Sequence, residues 1–294
     1  MRVLIAGASG LIGTALGTRL RESGHDVRTL VRRQPGAPGE FTWDPPAGTL
    51  DAGAIESVDA VVNLCGSPML SGRWSAARKQ TIADSRLEPT DVLAEAVAEH
   101  GVGVFVNASG VGFYGDTGST PVDESRPAGG GFLAGLCVDW ERATEPANRA
   151  GARVVNLRTG LVLSGRGGLL GPLKPLFWLA LGGKLGNGRQ FMPWISLTDE
   201  VSAIVHALEH DAVTGPMNVC GPDPATNAEF TKAMGRALHR PAPWWVPAPA
   251  LRLALGEAAD EMALVSQRAV PRVLESTGFT FIHDTLDDAL AAAL

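Results

Sequence analysis

The chain is poor in cysteine, tyrosine and lysine, and each shortage excludes something. Its three cysteines, Cys65, Cys137 and Cys220, are far apart, with no CxxC spacing and no histidine at metal-ligand spacing. A disulfide framework and a metal site are therefore not expected, and the three read as small core residues of a reducing, cytoplasmic compartment. Tyrosine occurs once, as Tyr114, and the only lysines are Lys79, Lys174, Lys184 and Lys232. Chemistry that needs Tyr and Lys at a fixed spacing has little to work with. No run of Lys or Arg forms a basic stripe and the net charge is −6, so no nucleic-acid partner is expected, because phosphate backbones require clustered cations. Long apolar runs are also missing. Leu169 to Leu185 is interrupted by Pro172, Lys174, Pro175, Gly182 and Gly183, which argues against a membrane partner. The first residues lack the charged-then-apolar order of a signal peptide.

What is present is alternation. Arg2–Ala6, Asp26–Val31, Val58–Leu64, Val104–Asn107 and Arg153–Leu157 are short apolar, β-branched runs that read as buried strands. Between them Leu11–Glu22, Ser75–Glu99 and Phe132–Ala150 carry helical spacing, with a break expected at Pro89 and a kink or stop at Pro146. Such β–α alternation implies an α/β fold, a doubly wound parallel sheet with helices on both faces. After Thr159 the pattern weakens. Gly165–Gly188 reads as a substrate-facing lobe or a long surface loop, Trp194–Asp199 and Met217–Cys220 as short strands, and Pro241–Pro249 as a proline-rich hinge. The expected division is a nucleotide-binding domain over 1–164, with 191–220 returning to it. Residues 165–190 and 221–294 then form a smaller, C-terminal substrate-side lobe.

Between the first strand and first helix lies Gly7-Ala8-Ser9-Gly10-Leu11-Ile12-Gly13. Gly7 permits the tight turn, Gly10 lets backbone approach a pyrophosphate, and Gly13 lets helix pack closely on strand. The helix N-terminus then offers free N–H groups and partial positive charge to the phosphates, with Ser9 beside them. Strand before and helix after are the context this motif requires, and they make the domain Rossmann-type. At the end of the second strand an acidic residue would accept from the ribose 2′-OH of NAD. Here Arg32 and Arg33 stand instead. A guanidinium pairs with a 2′-phosphate, which favours NADP(H); a solvated basic pair is the alternative.

Several further segments extend the pattern: Trp43-Asp44-Pro45, Asn63-Leu64-Cys65-Gly66, Ser85-Arg86-Leu87, Gly112-Phe113-Tyr114-Gly115, Asp139-Trp140-Glu141, Arg158-Thr159-Gly160, Pro193-Trp194-Ile195 and Asn227-Ala228-Glu229-Phe230. With these the chain resembles an extended or atypical short-chain dehydrogenase/reductase. More narrowly, it resembles the nucleoside-diphosphate-sugar epimerase-like subgroup of the NAD-dependent epimerase/dehydratase superfamily, whose C-terminal segment is a domain of unknown function. The resemblance implies cofactor contacts from the glycine loop including Leu11 and Ile12, and from Arg32, Leu64, Cys65, Arg86 and Val162. Core packing is the competing reading for Leu64 and Val162, and a surface role for Arg86.

The catalytic pattern of that superfamily is absent. Its reductases use Tyr-x-x-x-Lys on a helix, the Lys lowering the Tyr pKa, with a Ser on the preceding strand. Here the Tyr and Lys positions fall on Leu133 and Cys137, and four residues beyond Tyr114 is Gly118. Ser109 stands where the catalytic Ser is expected. Tyr114, five residues on, is placed to serve as an acid or to be a structural tyrosine. Asp123-Glu124 reads as a solvated loop. Three functions compete: an NADP-dependent oxidoreductase or sugar-nucleotide epimerase with a rearranged acid–base group and an unidentified small-molecule substrate; an inactive NADP(H)-binding sensor or interaction protein; and a methylase or other Rossmann protein using a different nucleotide, which the Arg pair and the wider match disfavour.

Overall fold

Seven strands pair in parallel down the middle of the computed structural model, which describes residues 1–294. In chain order the strands are β1 (Arg2–Ala6), β2 (Asp26–Val31), β3 (Glu40–Asp44), β4 (Thr49–Leu50), β5 (Ala60–Asn63), β6 (Val104–Gly110) and β7 (Arg153–Thr159). They continue as β8 (Leu161–Leu163), β9 (Gly183–Leu185), β10 (Phe191–Met192), β11 (Trp194–Ser196), β12 (Gly215–Val219), β13 (Ala225–Thr226) and β14 (Trp244–Val246). The main sheet runs β12-β7-β6-β5-β1-β2-β3-β4, with only β4 antiparallel. From β1 the chain winds outward to β3, then returns to β5 on the other side of β1. The winding reverses between β1 and β5, and a crevice at the carboxyl ends of such strands is where open α/β sheets bind ligands.

Period-two alternation decides what each helix covers. The helices are α1 (Leu11–Glu22), α2 (Ala52–Ile55), α3 (Ala76–His100), α4 (Phe132–Arg142), α5 (Glu145–Arg149), α6 (Leu170–Trp178), α7 (Leu197–Glu209), α8 (Asn227–Ala237), α9 (Ala248–Leu255), α10 (Arg272–Ser276) and α11 (Leu286–Ala293). Val3 and Ile5 of β1 pack with Leu16 and Leu20 of α1 and Ile204 and Leu208 of α7. Leu4 and Ala6 point the other way and pack with Leu93 and Val97 of α3 and Ala147 of α5. A third core joins Leu163 and Trp194 to α6, α8 and α11.

The structure departs from the sequence reading at several points. Helix α3 runs through Pro89 unbroken, capped by the Ser75 hydroxyl at one end and by left-handed Gly101 at the other. An interior proline costs about 3 kcal/mol, but Ile82 before it is buried against Trp74, Leu133 and Leu136, and Leu93 and Val97 after it are buried on the sheet, each contributing roughly 1.5–3 kcal/mol. The run expected as strand to Asp199 stops at Ser196, whose hydroxyl accepts from Asp199 N–H at 3.0 Å and starts α7. The proline-rich stretch is more than a hinge, since β14 within it pairs with β9. Strand β3 was not expected. Pro146 does behave as a stop: α4 ends at Arg142 and Pro146 enters at the start of α5, where its missing N–H costs nothing. No helix is long and apolar enough to cross a membrane.

In the first turn of α7, Glu200 is wholly buried. One carboxyl oxygen accepts from Thr159 Oγ1 at 3.1 Å and the other has no partner. Burial pushes this carboxyl up to about 8. A folded-state value above the unfolded one means that ionisation opposes folding, so the penalty grows from about pH 4.5 to pH 8 and then levels off. Glu200→Gln should therefore gain on the wild type by more than about 1 kcal/mol in urea unfolding as pH rises from 5 to 8. A pH-independent difference between the two proteins contradicts this.

Candidate functional site

Helix α1 begins where a side chain would not fit. Gly7 has φ +79°, and a Cβ there would stand 2.7 Å from the Leu64 carbonyl carbon. A Cβ on Gly13 would meet the Gly7 carbonyl oxygen at 2.3 Å. The N-cap residue Gly10 supplies no side-chain acceptor, and the first turn holds no acidic residue. The opening N–H groups of a twelve-residue helix are thus left to an external anion.

The loop and first turn, through Gly7 to Gly10, Gly13 and Thr14, border a cleft of about 1030 Å³ that also runs past the ends of β2 and β5. Of the residues singled out in the sequence, Gly7, Ser9, Gly10, Gly13, Arg32, Arg33, Leu64 and Cys65 line it. Leu11, Ile12, Val162 and Arg86 do not. Ile12 and Val162 pack against the central core. Arg86 is buried: its guanidinium donates to the Ile82 carbonyl at 3.0 Å and the Ser67 carbonyl at 3.2 Å and lies over the Trp140 ring. It therefore holds the loop after β5 in place from behind, a role the sequence reading did not give it. Arg33 is also not free, because it forms a two-pronged pair with Glu40 at 2.6 and 2.8 Å. Arg32 makes no ion pair within the chain and projects from the end of β2.

Other lining residues escaped the sequence reading, although a signal existed. Thr14, Gly17 and Thr18 continue the helical spacing of Gly10 and Gly13, and all of them border the cleft. This small, polar stripe keeps one face of α1 low beside β2. Trp43, Pro45 and Pro46 also line the cleft.

The expected acid–base residues are elsewhere and occupied. Ser109 Oγ donates to Glu141 Oε1 at 2.8 Å, and Arg158 grips the same carboxylate through Nε at 2.8 Å and Nη2 at 2.9 Å. Tyr114 Oη donates to Asn218 Oδ1 at 2.7 Å and accepts from Arg158 Nη1 at 3.0 Å. It is 3% exposed, and burial pushes the phenol up to about 12. The reading of Tyr114 as an acid facing a pocket is therefore corrected: it is a structural tyrosine inside an ionic network, and Ser109 is tied to that network. Glu124 is likewise no solvated loop residue, since its Oε1 accepts from Asn218 N–H at 3.0 Å and Val273 N–H at 3.1 Å. At the two helix positions where Tyr and Lys are lacking, Leu133 packs with Trp74 and Ala258, and Cys137 is buried. Burial pushes that thiol up to about 11. The Glu261 carboxylate, arriving from the C-terminal region, accepts from Phe132 N–H at 2.9 Å and Leu133 N–H at 3.0 Å and so caps α4.

Residues 3–220 match the NAD dependent epimerase/dehydratase family, and residues 246–293 match a domain of unknown function, DUF1731. An epimerase family protein of Mycobacterium leprae is 54% identical over 99% of this chain and 95% of its own length. The epimerase family protein SDR39U1 of Homo sapiens is 38% identical over 99% of this chain and 98% of its own. The crystal structure of human SDR39U1 (isoform 2) with NADPH superposes with a TM-score of 0.92 at 36% identity, covering 100% of this chain and 99% of that one.

The ionic network makes a stability prediction. Removing Glu141 strands a buried guanidinium, so Glu141→Ala should cost about 3–5 kcal/mol in chemical unfolding. Tyr114→Phe leaves Asn218 and Arg158 each one partner short and should cost about 1–2 kcal/mol. Losses below about 0.5 kcal/mol for both, the size of an ordinary surface substitution, would show that the network is not structural.

Proposed function

The chain belongs to the NAD dependent epimerase/dehydratase family, and we propose that it binds NADP(H) in the cleft at the carboxyl end of its sheet without carrying the Tyr–Lys chemistry of related reductases. The observation that supports the cofactor most strongly is the unpaired Arg32 at the end of β2, in the same cleft as an uncapped helix N-terminus. The pyrophosphate would be held by the N–H groups that open α1, and a 2′-phosphate by the Arg32 guanidinium. That the human relative was crystallised with NADPH supports the same choice.

When bound, the cofactor supplies hydride-transfer capacity. A reductase or epimerase also needs a group that moves a proton at the substrate oxygen. Ser109 and Tyr114 are engaged in the Glu141–Arg158 network, Leu133 has no proton to transfer, and Cys137 is buried with its Sγ donating to the Gly110 carbonyl. The favoured reading is thus a cytoplasmic NADP(H)-binding protein that responds to or presents its cofactor, with little or no turnover. The second reading, an oxidoreductase or sugar-nucleotide epimerase acting on a small molecule, draws on the family it belongs to and requires the proton to come from substrate or water.

Titration of nicotinamide fluorescence tests the first part. Wild type should bind NADPH at least tenfold more tightly than NADH, and Arg32→Ala should abolish that preference, a loss of roughly 1.5–3 kcal/mol for one charge-assisted contact. Gly10→Val should remove binding of both nucleotides while the circular dichroism stays unchanged. Equal affinities in the wild type would overturn the assignment. Steady NADPH oxidation with any of a panel of carbonyl compounds and sugar nucleotides would favour the second reading.

A further inference from the structure

Two adjacent arginines end β2, and the structure treats them differently. We infer that Arg33 is a mask rather than a phosphate ligand: it covers the Glu40 carboxylate, which would otherwise accept a ribose 2′-hydroxyl and repel a 2′-phosphate, and so sets the preference of the cleft for NADP(H) over NAD(H). The inference rests on the cofactor reading given above.

Glu40 opens β3 and is paired in register with Thr29 of β2. Its side chain is mostly buried and borders the same cleft as Val31 and Arg32. A carboxylate near the end of the second strand is the group that recognises the 2′-hydroxyl in NAD-binding sheets. This chain has such a carboxylate, but on the neighbouring strand and already saturated. Arg33 Nη2 donates to Oε1 at 2.6 Å and Nη1 to Oε2 at 2.8 Å, and Gly36 N–H donates to Oε2 at 2.7 Å. Arg33 Nη1 also donates to the Gln34 carbonyl at 2.9 Å, which fixes the guanidinium to its own loop. Two parallel N–H···O bonds fit a guanidinium to a carboxylate in both geometry and charge.

The charges add up differently with and without the mask. With Arg33 on Glu40 the pair is neutral, and Arg32, which has no ion-pair partner, leaves the β2 end net positive. Without Arg33, an ionised carboxylate stands beside Arg32. The Arg33 bonds and the Gly36 N–H hold the Glu40 carboxyl down to about 2, and without Arg33 an ordinary glutamate value of about 4.3 still leaves it ionised in the neutral range. Loss of the mask then penalises a dianionic 2′-phosphate and offers an acceptor to a 2′-hydroxyl. A direct phosphate ligand would behave otherwise, because its loss would weaken NADPH whether or not Glu40 were present.

The test is binding, read by fluorescence titration and calorimetry with NADPH and NADH on the full chain. The proteins are wild type, Arg33→Ala, Arg33→Gln, Glu40→Gln and the double variant Arg33→Ala/Glu40→Gln, with nucleotide-free melting curves to verify folding. Arg33→Gln keeps hydrogen-bonding capacity without charge, and it carries the test if the alanine variant is unstable. Both Arg33 variants should lose at least tenfold in NADPH affinity and gain at least threefold for NADH. The double variant should return to within about threefold of wild type for NADPH. A double variant that loses NADPH as fully as Arg33→Ala overturns the mask and makes Arg33 a direct ligand. Arg33 variants within twofold of wild type for both nucleotides overturn it as well. A wild type that does not prefer NADPH fails the cofactor reading itself, separately from the mask.

Discussion

The contact between the first turn of α1 and the end of β1 constrains everything else at the site. No side chain separates Gly13 from the Gly7 carbonyl, and a single methyl group there would stand at 2.3 Å. That approach seats the helix directly on the strand end, brings its unpaired N–H groups to the rim of the sheet, and fixes the height of the Gly10–Thr18 stripe beside β2. The reversal of strand order between β1 and β5 opens the crevice at the same place. Backbone geometry therefore turns the unpaired N–H groups of α1 towards the crevice before any charged side chain is considered, and on the reading proposed above Arg32 with the Arg33–Glu40 pair selects which dinucleotide fits.

On the other side of the sheet end, the residues suited by type to proton transfer are joined in one hydrogen-bonded network. Ser109 ends up on Glu141, Glu141 on Arg158, Arg158 on Tyr114, and Tyr114 on Asn218 of the edge strand β12. Arg158 also lies over the Phe113 ring at 3.4 Å. This chain of contacts links β6, α4, β7 and β12, and Glu124 extends it to α10. Breaking one member leaves a buried charge or donor unpaired, so the residues most suited to chemistry by type are the ones least free to perform it.

How much of this was legible beforehand follows from how local each feature is. The βαβ unit, the glycine loop and the Arg pair are contiguous and were readable from spacing. Which arginine is free was not, because its neighbour's partner Glu40 lies on β3, a strand whose sequence, EFTWD, mixes charge with aromatics and gives no clean alternation. Tyr114 was ambiguous because its decisive partner, Asn218, is 104 residues away. Pro89 misled because the penalty is local while the compensating burial of Ile82, Leu93 and Val97 is tertiary. Helix α7 was hidden behind the strand-like run that precedes its Ser196 cap.

The central claim is that the adenosine half of NADP(H), through its 2′-phosphate, anchors binding in the cleft beside α1 and β2. Competition at equilibrium measures this most directly, with bound NADPH displaced by adenosine 2′,5′-bisphosphate or by adenosine 5′-monophosphate, neither of which carries a nicotinamide. If the claim holds, the bisphosphate displaces NADPH at concentrations at least tenfold lower than the monophosphate does, a difference of about 1.4 kcal/mol or more. Equal displacement by the two, or none by either, would contradict it.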